Sequence, residues 1–127
     1  MKYPRLYSDE HGESHFEDLE IKYHTVDFAP PAPPLDVFIL GSTEQCSILR
    51  AKPGWQGEWH SAPFRQLHFY LSGEIEAEVS DGEVRRISAG SIALVEDTSG
   101  KGHRSRVVGS SEVIIAVVKL NDLLNLP

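Results

Sequence analysis

The sequence predicts an all-β barrel, on three observations. From residue 35 onward, short apolar or alternating segments recur at 8–12 residue spacing between turn residues. Several of these segments alternate apolar and polar side chains with period 2, as a strand covered on one face does. Only "NDLLNL", near the C-terminus, reads as a helix. At 127 residues, with 40% hydrophobic and 24% charged residues, the chain can bury a core as one domain without disulfides.

The elements follow in order. After "KYPRLY", the stretch "GESHFEDLEIKYHTVDF" alternates weakly and reads as an arm with one or two strands. "APPAPP" (29–34) is stiff and extended, and cannot join the middle of a sheet. The chain therefore divides into an arm with its proline-rich connection (1–34) and a barrel (35–127), one structural domain in all. Strands are expected at "LDVFIL", "CSILRAK", "QLHFYL", "EIEAEVS", "VRRIS", "SIALVE", "HRSRVV" and "EVIIAVVKL". Ser72-Gly73 joins the third to the fourth, and "DGE" (81–83) is a hairpin turn.

Alternation also assigns faces. In "EIEAEVS", Ile75, Ala77 and Val79 form a buried row, while Glu74, Glu76 and Glu78 face solvent. In "QLHFYL", Gln66, His68 and Tyr70 share one face and Leu67, Phe69 and Leu71 the other, so this strand needs cover on both sides. A second copy of the chain is the simplest source of that cover, and a homodimer is expected. In "HRSRVV", His103 points inward and Arg104 and Arg106 point to solvent.

Composition narrows the function classes. A formal charge of −7 disfavours nucleic acid and anionic membranes as partners. The longest apolar run, Val113 to Val118, is far below the ~20 residues of a membrane-spanning helix. No signal-peptide pattern is visible at the N-terminus, so a cytoplasmic location is expected. Cys46, the one cysteine, reads as a small core residue. His11, His15 and His24 read as surface residues, Trp55 and Trp59 as packing, and Lys101 as a loop charge.

"WHSAPFRQLHFYLSGEIEAEVSDGEVRRISAGSIALVEDTSGKGHRSRV" resembles the cupin superfamily, small jelly-roll barrels built as a double-stranded β-helix. Cupins carry a first motif of His-x-His, then Glu, then a strand-closing Gly. The second motif runs from Gly through Pro-x-Gly to a His entering a strand. Gly73 matches the closing glycine, Gly90 the opening glycine of the second motif, and His60 and His103 a histidine of each. More narrowly, "SHFED", "APPAPP" and "EDTSGKGH" look like a subgroup of small cupins with no settled reaction. The chain departs from the pattern at the metal-binding Glu, where Gln66 stands, at the second first-motif His, replaced by Trp59 or Ser61, and at Pro, replaced by Glu96.

The resemblance implies a site in the barrel mouth. His60, His68 and His103, with the Gln66 oxygen, are the candidate ligands for a divalent transition metal (Zn, Fe, Ni or Mn), since imidazole suits such ions. An amide brings no charge, so a metal-free mouth is the equal competitor. His60, His68, Tyr70 and Arg65 are the candidate catalytic and substrate-positioning residues, with Glu96 and Asp97 as orienting groups or solvated loop acids. Two functions follow: dioxygenase, isomerase or lyase type chemistry on a small polar metabolite, or a metal-free module that binds or senses a small ligand without catalysis.

Overall fold

The computed structural model describes residues 1–121. Eleven strands and no helix are present among them. The expected C-terminal helix "NDLLNL" lies, but for Asn121, outside the described residues. Six strands make the larger sheet. They are β1 (Lys2–Ser8), β2 (Ser14–Glu20), β5 (Thr43–Ala51), β6 (Gln66–Ser72), β9 (Ile92–Val95) and β11 (Val113–Leu120), in the order β2-β1-β9-β6-β11-β5. Facing it is a three-stranded sheet, β10-β7-β8, of β7 (Glu74–Val79), β8 (Val84–Ser88) and β10 (His103–Val107). All pairings are antiparallel except β1 with β9.

The core lies between the two sheets. Register sets cross-strand rows on the inner face of the larger one: Ser47–Val117–His68–Ala93 and Leu49–Ile115–Tyr70. From the smaller sheet, Ile75, Ala77 and Val79 point in to meet them, and all three are buried. On the outer side of β7 the glutamates are held by arginines: Glu76 by Arg106 at 3.1 Å and Glu78 by Arg104 at 2.9 Å. Ion pairs this exposed add between nothing and about 1 kcal/mol each, so the inward row holds this sheet in place. The β6–β7 turn closes at Gly73, where φ is +77° and a Cβ would lie 2.4 Å from the Glu112 carbonyl, leaving room for glycine alone.

The expected arm divides in two. Its first twenty residues form β1 and β2, inside the larger sheet, and place Leu6 and Phe16 in the core. The rest of the arm contributes β3 (His24–Val26), which pairs with β4 (Leu35–Val37) in a separate two-stranded hairpin with "APPAPP" between them; β4 opens "LDVFIL", the expected first barrel strand, which joins neither of the two larger sheets. Every residue from Lys22 to Asp36 is exposed. The placement of Cys46 corrects the expectation from sequence: it is exposed, because it lies on the outward face of edge strand β5.

Candidate functional site

A cavity of about 470 Å³ opens between the sheets, within the usual range for a small-molecule site. Most of its wall is apolar: Leu6, Val95, Ile75, Ile87, Ile115 and Val117 line the body, and Trp55, Leu49 and Phe64 the rim. His60, Gln66, His68, Tyr70 and His103 also line it. The positions expected from sequence therefore come together in one cavity, with Arg65 as the exception.

Arg65 points away because Gln66, its neighbour on an alternating strand, points in. Its guanidinium bonds Glu96 at 2.6 Å and the Asn121 carbonyl at 2.8 Å, and it does not line the cavity. Arg5 bonds the other Glu96 oxygen, also at 2.6 Å. Burial works to raise the Glu96 carboxyl, but the two guanidiniums prevail and hold it below the ordinary carboxylate range.

Two groups of polar side chains occupy the wall. The first is His60 with His103. Their backbones form a two-way bridge, each N–H donating to the other's carbonyl at 3.0 Å, and their ring centroids lie 4.8 Å apart. Gly102 makes this approach feasible: its φ is +71°, and a Cβ there would sit 2.0 Å from the His60 carbonyl. The His60 Nδ1–H donates to the Glu58 carbonyl at 2.7 Å, and the His103 Nδ1–H donates to Asp97 Oδ2 at 2.5 Å. These partners fix the tautomer, and in each ring they leave Nε2 without a protein partner among the described residues.

Asp97 corrects the reading of a solvated loop acid. Its side chain is fully buried, and its Oδ1 is the buried side-chain oxygen with no partner among the described residues. A half-satisfied buried carboxylate costs several kcal/mol unless something nearby holds a compensating positive charge. The group facing it is the His103 ring, whose Nδ1–H bonds Oδ2.

The second group is Gln66, His68 and Tyr70, which alternate along β6 onto the same face. The Gln66 amide N–H donates to the Phe64 carbonyl at 3.3 Å, which turns Oε1 toward His68 Nε2 at 2.9 Å. Nε2 must then carry the proton, and Nδ1 accepts from the Tyr70 hydroxyl at 3.2 Å. Burial, and next the nearby His103, push the His68 imidazole down to about 4. Burial also raises the Tyr70 hydroxyl. This set is neutral and internally satisfied.

The loop from Asp97 to His103 is clamped by the N-terminal hairpin. Ser14 is buried and donates its hydroxyl to the Gly102 carbonyl at 2.6 Å, while the Lys101 N–H donates to the Gly12 carbonyl at 2.9 Å. Lys101, a loop charge as expected, also pairs with Glu13 at 2.6 Å. His15 corrects the surface expectation in part: it is held between Asp9 and Asp81 at 2.7 Å each, and these hydrogen bonds, Asp9's first, raise its pKa. Neither it nor His11 nor His24 lines the cavity. Trp59 lies beneath the Arg104 guanidinium, 5.0 Å from the ring centre, and is 39% exposed, so it is less a packing residue than expected.

The donor set does not fit a cupin metal centre. Among the described residues, no three His, Cys, Asp or Glu side chains cluster to hold an ion. Both His68 nitrogens are engaged, and the Gln66 oxygen accepts from His68. Two imidazole nitrogens, those of His60 and His103, remain available.

Solved structures of known proteins share this architecture. No family model matches the chain, and no curated protein matches it. Among solved structures, the chain is similar to an RmlC-like cupin family protein with a double-stranded β-helix fold from Methanocaldococcus jannaschii. That match has a TM-score of 0.53 and 18% identity, over 80% of this chain and 91% of that one. A cupin 2 conserved barrel domain protein from Salinispora arenicola matches with a TM-score of 0.52 and 17% identity, over 80% and 76% of the two chains. The cupin domain of Cnp3 from Schizosaccharomyces pombe gives 0.52 and 12%, over 87% and 74%. The fold is that of the cupin double-stranded β-helix, all-β, as the resemblance in sequence implied.

Proposed function

We propose that the cavity binds a small organic molecule with an apolar body and one polar end, and that His103 exchanges a proton with that end. The observation carrying this reading is the buried Asp97 carboxylate hydrogen-bonded to His103 Nδ1 at the wall of an otherwise apolar cavity. A carboxylate behind an imidazole holds the ring's orientation and stabilises its protonated form, which suits a general base that takes up a proton and returns it. His60, with its own Nε2 left free, is placed as a second acceptor. Tyr70 and His68 shape the wall and keep their protons to themselves. Arg65 braces the strand end through Glu96.

The apolar lining narrows the expected small polar metabolite to an amphipathic one, such as a small aromatic or branched acid, phenol or enol. Of dioxygenase, isomerase and lyase chemistry, proton transfer of the isomerase or lyase kind fits these groups. The proton transfer needs no metal, and beside His60 and His103 the described residues offer no third ligand for one.

The test is a thermal-shift screen of small aromatic and branched-chain acids, phenols and enolisable ketones against the wild type and His103→Ala. Hits are then incubated in deuterated water. The reading expects hits that His103→Ala loses and that, on the wild type, gain solvent deuterium at a carbon beside the polar group. Hits indifferent to His103→Ala would place binding elsewhere. Hits lost in His103→Ala but free of deuterium would support a binding or sensing module without catalysis.

A further inference from the structure

Residues 55–60 run beside β10 as an extended edge to the smaller sheet. The Val107 N–H donates to the Trp55 carbonyl at 3.0 Å and the Gly57 N–H to the Ser105 carbonyl at 2.8 Å. Gln56 lies opposite Arg106, and His60 opposite His103. Between those two pairs this segment takes four steps while β10 takes three, so it carries a one-residue bulge. In a regular strand Trp55 and His60, an odd number of residues apart, would point to opposite faces. The bulge brings both to the cavity.

Trp55 stands at the rim and is 44% exposed, so packing within the chain does not account for its position. What fixes it is Gly57. A Cβ there would lie 2.8 Å from Trp55 Cη2 and 3.3 Å from Cζ2, so the six-membered end of the indole rests against bare backbone. Gly57 does not have a positive φ, and another residue could take its conformation. The glycine is needed for the indole rather than for the chain path. Along β10, the level of the His60–His103 pair and that of the indole differ by three residues, about 10 Å at the usual strand rise. A single ring bearing a short polar arm suits that span.

We infer that Trp55 sets the specificity of the cavity: its indole stacks on the apolar body of the ligand and selects a flat aromatic ring over a saturated ring of the same size. This rests on the reading that the ligand's polar end meets His103, and it narrows the apolar body which that reading leaves open. A half-exposed indole at the edge of an apolar cavity presents surface that a ligand covers favourably. A flat ring brings a whole face into offset contact with it, whereas a puckered ring touches through a few hydrogens. Aromatic pairing adds about three- to tenfold in affinity beyond the area covered. Trp59 does not share the role, because it lies under Arg104 and does not line the cavity.

Phenylacetate and cyclohexylacetate share a carboxylate arm and differ in the ring. Titrating each into the wild type, Trp55→Leu and Gly57→Ala, followed by NMR chemical shifts, tests this. Trp55 is exposed and the Gly57 backbone is unstrained, so both variants should keep the β circular dichroism of the wild type. The wild type should bind phenylacetate about three- to tenfold more tightly than cyclohexylacetate, and each variant should bind the two acids alike. In Trp59→Phe, which leaves Trp55 as the one indole, phenylacetate should shift the tryptophan emission. A wild type that binds both acids equally, a preference kept in Trp55→Leu, or an emission that does not move would overturn the inference. Loss of binding in His103→Ala would then leave the proposed function standing without it. If neither acid binds the wild type, the inference fails, and the wider ligand screen decides the proposed function by itself.

Discussion

Two groups of histidine share the cavity wall and differ in what holds each ring. His68 has both nitrogens engaged, one by the Gln66 amide oxygen and one by the Tyr70 hydroxyl, and burial keeps it uncharged. His103 has one nitrogen bonded to a buried carboxylate and the other left to the cavity, and His60 repeats that pattern with a backbone carbonyl. The same residue type is thus structural in one place and available for chemistry in the other. The partner of the first nitrogen decides which: a neutral, fully paired neighbour closes the ring off, whereas an anchor on one side alone leaves a basic site open.

The comparison breaks most severely at Gly102. Gly102→Ala places a methyl against the His60 backbone in a left-handed conformation, and is expected to destabilise the fold by about 3–4 kcal/mol. Chemical denaturation would show this as a lower midpoint, and the ring contact between His60 and His103 should be lost from the nuclear Overhauser spectrum.

Acid sharpens the contrast next. His68 titrates at about 4 in the fold against 6.5 ordinarily, so the unfolded chain takes the proton first. The stabilisation is complete above about 6.5 and is lost as pH falls toward 4, in total about 3 kcal/mol. His68→Gln should remove that part of the pH dependence, measured as the difference between the two proteins' denaturation midpoints across the range. His15, whose pKa is raised, works in the opposite sense in both proteins and cancels in the difference.

Asp97→Asn tests the open side. It keeps the shape while removing the charge behind His103, and proton exchange with screened ligands should slow by about 10- to 100-fold, read by deuterium uptake. Smallest is Tyr70→Phe, which deprives His68 Nδ1 of its donor and should cost about 1–2 kcal/mol in thermal denaturation, with ligand exchange kept.

Much of this was legible in the sequence. Alternation in "QLHFYL" placed Gln66, His68 and Tyr70 on the inward face, and the motif likeness pointed to His60 and His103. The same alternation, carried one step past β9, marks Asp97: Ala93, Val95 and Asp97 form one buried row. The sequence offered Asp97 both as an orienting group for His103 and as a solvated loop acid, and could not choose, because an acid before "TSGKG" resembles any solvated loop and burial of a carboxylate depends on a partner six residues away. Arg65 was misplaced for the converse reason, its charge outweighing its position on the outward face. Cys46 was misjudged because its strand lies at an edge, which pairing order settles and local composition does not. Nor could the sequence separate the two histidine groups, since the difference between them is a matter of hydrogen-bond partners.

That difference is measured most directly by long-range nitrogen–proton correlation spectra of the histidine rings near neutral pH. Wherever the rings are neutral, His60 and His103 should carry the proton on Nδ1 and His68 on Nε2. A His103 proton on Nε2, or a His68 proton on Nδ1, would contradict the division between an open and a closed side of the cavity.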